Sequence, residues 1–164
     1  MTSPSMTESG RVVVALHELL AAVDAGSERL LRASSGHSLA TVTFLSILAD
    51  AQRTAALDGA TDPTDLAPTG PWVRDLTTLA DCLGVTRAAV SKRVPTLVEQ
   101  GLVLTSADPR HARRVRLALT VTGAAVVADA TARLDAWLAG DLAGRLDLPA
   151  LHAALTAAIA ALAP

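Results

Sequence analysis

The chain has 164 residues, of which 51% are hydrophobic and 18% charged, with a formal net charge of −2. That length and apolar content suit one domain with a substantial core and exclude a chain that is mostly disordered. Aromatics make up only 2% with no tyrosine, so burial rests on Leu, Val and Ala, and the supply of Ala and Leu predicts a mainly helical protein.

The opening "MTSPSMTESG" is expected to be disordered over residues 1–10. It lacks the apolar stretch of a signal peptide. From Val12, apolar side chains recur at 16, 19, 20, 23, 30 and 31, the spacing of an amphipathic helix running to about Arg32. After the break "SSGH", a second helix is expected from about Ser38 to Leu57, with Leu39, Val42, Leu45, Ile47 and Leu48 on its apolar positions. These two helices form one region, 11–57, assigned to scaffold and dimerisation. The Pro-, Gly-, Asp- and Thr-rich segment that follows reads as a loop over 58–73.

Asp75 is a candidate N-cap for a short helix ending at Gly84, and Thr86 for the next helix, which buries Val90, Val94 and Leu97 and ends at Gly101. Residues 102–106 and 114–119 read as two strands around the turn-rich "ADPRHAR" (107–113), an antiparallel hairpin. A long helix is expected from about Thr122, with Val126, Val127, Ala130, Leu134, Trp137 and Leu138. The last begins near Pro149, with Leu148, Leu151, Leu155, Ala158 and Leu162 at the 3-4 spacing of a helix that packs on another helix. The segment 148–164 falls short of the ~20 apolar residues of a membrane span. The expected class is mainly α with a small β hairpin (α+β). Residues 74–120 form a winged helix-turn-helix, and 121–164 supply C-terminal dimerisation helices.

Charge is unevenly divided along the chain. Residues 87–116 hold Arg87, Lys92, Arg93, Arg110, Arg113, Arg114 and Arg116 against Glu99 and Asp108, a local excess of +5, while the remainder carries −7. A basic window inside an acidic chain points to a polyanionic partner. Pro95 sits inside the helix that opens this window. It removes one backbone hydrogen bond from the helix. On a solvent-facing position the Ser91 carbonyl it leaves can be met by water, and a bend between Ser91 and Pro95 is expected. The bend either sets the angle of Arg87 and Ser91 or is merely tolerated.

The stretch "LTTLADCLGVTRAAVSKRVPTLVEQGLV", followed by "DPRHARRVRLALTVTG", resembles the MarR family of bacterial transcription regulators over roughly residues 38–138. The motif carrying the likeness is L-A-x-x-L-G-V-[ST]-x-x-x-V-S, a Gly-Leu-Val entry to the wing, then Asp-Pro, basic residues and Leu-Thr. The resemblance implies a homodimer that binds double-stranded DNA at a palindromic operator, acts as a repressor and answers to a small-molecule effector. It also implies an effector cleft between the dimerisation helices and the winged domain. The candidate DNA-binding residues are Thr86, Arg87, Ala88, Ser91 and Lys92 on the helix, with Arg110 and Arg113 on the wing. Arg87 and Lys92 reach guanine acceptors or phosphates, Ser91 donates or accepts, and Ala88 packs on a thymine methyl. The family's usual Asp-Arg-Arg of the wing is replaced by His111, Ala112 and Arg113. Either Arg110 supplies the missing contact or the wing sits differently.

Other features read as structural. Cys82, the lone cysteine, has no sequence neighbour that would activate it and excludes a disulfide framework, which fits a reducing cytoplasm. His17, His37, His111 and His152 lack metal-ligand spacing. Trp72 and Trp137 fit core packing better than a ligand cavity. No phosphate loop, nucleophile triad or carboxylate pair stands out, so neither an enzyme nor a cofactor is expected. The competing assignment is a winged-helix protein-interaction module that does not read DNA.

Overall fold

The structure is a computed structural model that describes residues 7–58, 66–73, 76–109, 111–142 and 145–162. It divides into two compact units, residues 1–130 and 131–164, with the boundary inside a helix.

Helix α1 (Glu8–Ser35) begins four residues before Val12, inside the segment expected to be disordered. The reason is local: Thr7 accepts a hydrogen bond from the Gly10 amide (3.2 Å), and Glu8 lies in the first turn, where a carboxylate is favoured, and pairs with Arg11. Gly36 ends the helix in the left-handed conformation (φ 74°). Helix α2 (Leu39–Leu57) starts from Ser38, whose hydroxyl accepts the Thr41 amide at 3.1 Å. Glu28 ties the two helices together. It accepts the Leu39 amide (2.5 Å) and Arg32 Nε (2.7 Å). The Leu39 amide first, and then the Arg32 guanidinium, hold the Glu28 carboxyl below its ordinary range.

The segment read as a loop over 58–73 contains a miniature hairpin, β1 (Leu66–Ala67) and β2 (Gly70–Pro71), with Gly70 at φ 137°. Strands of two residues carry no periodic signal, and their stability comes from elsewhere. Gln52, buried on α2, supplies it. Its Nε2 donates to the Pro71 carbonyl (3.0 Å) and approaches Thr69 Oγ1 (3.4 Å), and its Oε1 accepts the Leu119 amide (3.0 Å). Thr69 Oγ1 in turn donates to the Leu119 carbonyl at 2.7 Å.

Helix α3 (Leu76–Leu83) follows, with Gly84 at φ 63° making the turn. Asp75, its expected cap, lies outside the described residues. Helix α4 (Arg87–Glu99) is capped by Thr86 and continues through Pro95. Gly101 (φ 68°) closes it, with the Leu102 amide returning to the Leu97 carbonyl at 2.9 Å. Strands β3 (Val103–Asp108) and β4 (His111–Leu119) pair antiparallel from Val103↔Leu119 to Asp108↔His111, with a register shift between Ala107 and Asp108. The hairpin is therefore longer than 102–106 and 114–119: residues expected in the turn, 107–108 and 111–113, are strand. Val73 adds a bridge to the free edge of β4, exchanging two 2.8 Å bonds with Leu117.

The core of the first unit gathers Phe44, Leu45 and Leu48 of α2, Leu79 of α3, Val90, Val94 and Leu97 of α4, and Leu102, Val103, Leu117 and Leu119 of the hairpin. Helix α5 (Val121–Leu142) starts against it. Thr120 caps α5 by accepting the Gly123 amide (2.8 Å) and donates to the Gly101 carbonyl (2.7 Å). A Cβ on Gly123 would collide with the Leu102 carbonyl oxygen, so only glycine allows α5 to start this close to the hairpin. In the second unit, helix α6 (Leu148–Leu162) is capped by Asp147, which accepts the Ala150 amide at 3.0 Å, and carries Pro149 in its first turn.

Gly123→Ala must push α5 away from Leu102, because a backbone atom cannot give way as a flexible side chain can. We expect a loss of about 2 kcal/mol or more in urea unfolding, with the m value unchanged.

Candidate nucleic-acid interface

The helix α4 and its preceding turn present a single exposed surface. Val90 (1% exposed), Val94 (8%) and Leu97 (2%) fill one stripe and anchor the helix on the core. Thr86, Arg87, Ala88, Ser91, Lys92 and Pro95 are all exposed. The Thr86 hydroxyl accepts the Ala89 amide (3.2 Å), which fixes the first turn and leaves Arg87 at the first helical position. Positive backbone dipole, an arginine, a hydroxyl and a lysine thus share the same two turns. That set can hold a phosphate and reach donor or acceptor groups beside it.

The basic window separates once it is folded. Arg87, Lys92, Arg93 and Arg114 are exposed. Arg116 turns inward (8% exposed), stacks over the Trp72 ring at 4.9 Å and lies 3.4 Å from Ser106 Oγ through Nη2. Trp72 is held by its indole N–H donating to the Leu66 carbonyl at 3.1 Å. The alternation expected along 114–119 therefore fails: Arg116, Leu117, Ala118 and Leu119 are buried in succession, with Arg116 stacked on Trp72 and Leu117 and Leu119 in the core. Of the wing candidates, Arg110 lies outside the described residues. Arg113 is placed on β4 by its backbone, and its side chain, like those of His111 and Ala112, lies outside the described residues.

Gln52 and Thr69, which no sequence pattern marks out, hold the base of the wing hairpin to α2 by their hydrogen bonds. A glutamine on an amphipathic helix carries no signal that distinguishes burial from exposure. Beside it lies a cavity of about 210 Å3 lined by Gln52, Arg53, Thr69, Pro71, Leu119 and Ala124 among others. Cys82 is exposed, and His17 donates to the Val13 carbonyl (2.8 Å) of its own helix. Among the described residues there is no cluster of three or more His, Cys, Asp or Glu side chains suited to a metal, and no helix long and apolar enough to cross a membrane.

Pro95 and Ser91, four residues before it, are both exposed on this surface. Pro95→Ala restores one helical hydrogen bond and should raise stability by on the order of 1 kcal/mol. Measured on a preferred duplex and a scrambled one, it separates the two roles of the proline. A fall in affinity for the preferred duplex alone assigns the proline to recognition, and level affinity on both makes it merely tolerated.

No family model matches the sequence, and no curated protein matches it. Solved structures do. A MarR-family transcriptional regulator from Rhodococcus sp. RHA1 superposes with a TM-score of 0.69 at 19% identity, covering 96% of this chain and 97% of its own. A second MarR-family regulator is 25% identical with a TM-score of 0.67, over 93% of this chain and 90% of that one. CouR, solved bound to a 23-mer DNA duplex, matches with a TM-score of 0.68 at 21% identity over 96% of this chain and 99% of its own. CouR from Rhodococcus jostii RHA1 bound to p-coumaroyl-CoA matches with a TM-score of 0.68 at 18% identity, over 99% and 98%. With α3, the turn at Gly84, α4 and the β3–β4 hairpin in that order, the chain has the fold of the MarR-family transcriptional regulators, a winged helix-turn-helix.

Proposed function

We propose that the chain is a homodimeric transcription regulator, a repressor, that reads an inverted-repeat operator with helix 86–100 and steadies itself with the wing, residues 107–113. The observation that carries this reading is the exposed first half of α4. Arg87, Ser91 and Lys92 stand on it free of the core, above a stripe of buried Val90, Val94 and Leu97. The N-terminal end of a capped helix is what enters a major groove, and an arginine and a lysine there meet guanine O6 and N7 or flanking phosphates. Ser91 adds an adaptable donor and acceptor, and Ala88 an apolar contact for a thymine methyl. Arg114, exposed on β4, stands with Arg110 and Arg113 as a flanking contact. That CouR has been solved on duplex DNA lends this reading support.

Self-association is supported by α1. Val12, Val13, Val14, Leu16, Leu19 and Leu20 are 40–60% exposed, too large an apolar band to be left in water on a helix. A second copy of the same band, related by a two-fold axis, would cover both. In the other unit, Ile159 (71% exposed) and Leu162 (86%) of α6 add apolar surface of the same kind. A two-fold dimer presents two copies of α4, so half-site centres should lie about one turn, ~10 bp, apart. A small effector would take the cavity beside Gln52, where it would bear on the base of the wing; that CouR has been solved bound to p-coumaroyl-CoA lends support to a small-molecule ligand here.

Two measurements test this reading. Gel-shift titration against duplexes selected from a random pool should yield a palindrome whose affinity falls steeply between two salt concentrations. Arg87→Ala should cost about 1–3 kcal/mol on that palindrome and relax its sequence preference. Arg110→Ala should instead weaken all duplexes alike and lower the salt slope. A protein without a preferred duplex would be a winged-helix interaction module. For the dimer, light scattering on Leu16→Asp/Leu20→Asp should show monomer or aggregate, and an intact dimer would contradict the assigned interface.

A further inference from the structure

Arg93 belongs to the basic window by sequence, yet its guanidinium turns toward α2. Nη1 donates to the Ala40 carbonyl at 3.4 Å, joining residues 53 positions apart. Ala40 is the second residue of α2. The first, Leu39, gives its amide to Glu28 of α1. The amide of Leu39 and the carbonyl of Ala40, in the first turn of α2, are thus held by a carboxylate from α1 and a guanidinium from α4.

The pairing has an electrostatic logic. The first turn of a helix carries partial positive charge, where a guanidinium alone is disfavoured. The Glu28 carboxylate on the adjacent residue supplies the compensating negative charge, and Arg32 orients that carboxylate from the next turn of α1 at 2.7 Å. It also has a geometric logic. Val90, Val94 and Leu97 fix which face of α4 is buried, but apolar contact is non-directional and leaves small rotations about the helix axis to other groups. A hydrogen bond from Arg93, on the flank of that stripe, is directional. Arg93 follows Lys92 directly and Ser91 by two residues, so fixing its azimuth fixes theirs.

We infer that Glu28 and Arg93 are positioning residues for the reading helix: they fix the rotation of α4 against the first turn of α2 and, through it, against α1. The inference rests on the DNA-reading function above. A direct phosphate contact by Arg93 is the competing outcome.

The test uses the full chain, the palindrome that the wild-type protein selects and a scrambled duplex of equal length, each at two salt concentrations. Arg93→Ala and Glu28→Ala should each reduce the palindrome-to-scrambled affinity ratio about three- to tenfold, the equivalent of one net hydrogen bond. The salt slope and the scrambled affinity should stay level. Arg93→Lys, which can still donate to Ala40, should recover most of the ratio, and the double Ala variant should lose no more than the poorer single one. Arg93 is exposed, so Arg93→Ala should melt near wild type; Glu28→Ala, which strips the half-buried Leu39 amide of its acceptor, should melt lower, and the ratio is read at a temperature where both variants stay folded. A salt slope lowered by about 0.9 in Arg93→Ala, with equal loss on both duplexes, would make Arg93 a phosphate contact and overturn the inference. So would a ratio untouched by Glu28→Ala. A wild-type protein with no preferred duplex would overturn the DNA-reading function itself, and a wild-type preference that neither variant alters would overturn only the positioning role.

Discussion

The winged unit is organised around one buried amide. Gln52 projects from α2 into the place where the β1–β2 hairpin and the end of β4 converge, donating to the Pro71 carbonyl and accepting the Leu119 amide, while Thr69, which it also approaches, donates to the Leu119 carbonyl. In a low-dielectric setting a satisfied polar group holds its partners firmly, and an unsatisfied one costs the full desolvation of each. Neither two-residue strand could persist alone in water, nor could a two-stranded wing. Gln52 makes them one assembly with the helix that carries Phe44, Leu45 and Leu48 into the core.

From that joint the placement of the reading surface follows. Leu119 ends β4 at Gln52, and the next residue, Thr120, caps α5 while bonding the Gly101 carbonyl at the end of α4. Gly123 lets α5 rest on Leu102, the residue before β3. The base of the wing, the end of α4 and the start of α5 are therefore fixed within a few residues of each other. Arg87 and Lys92 in the first half of α4 and Arg114 on β4 are left exposed.

What could be read beforehand was local chemistry. Ser38 and Thr86 announce helix starts because a hydroxyl accepts an orphan amide two or three residues on, and Gly84 and Gly101 announce ends because only glycine takes positive φ without cost. Val90, Val94 and Leu97 declare the buried face of α4 by spacing alone, and with it the exposed positions of Arg87, Ser91 and Lys92. What could not be read was non-local. Arg116 looks like one more surface cation until Trp72, 44 positions earlier, is folded over it. Gln52 looks solvated until Leu119 arrives. Helix α1 starts before its apolar period does because polar Thr7 and Glu8 begin the helix without contributing to that period.

Amide hydrogen exchange of the full chain, alone and saturated with its selected duplex, tests the central claim directly. The account predicts new protection concentrated in residues 86–92 and in the β3–β4 hairpin, with the first half of α1 showing the same exchange in both samples. Protection confined to α1 or α6, with residues 86–92 unchanged by the duplex, would contradict it.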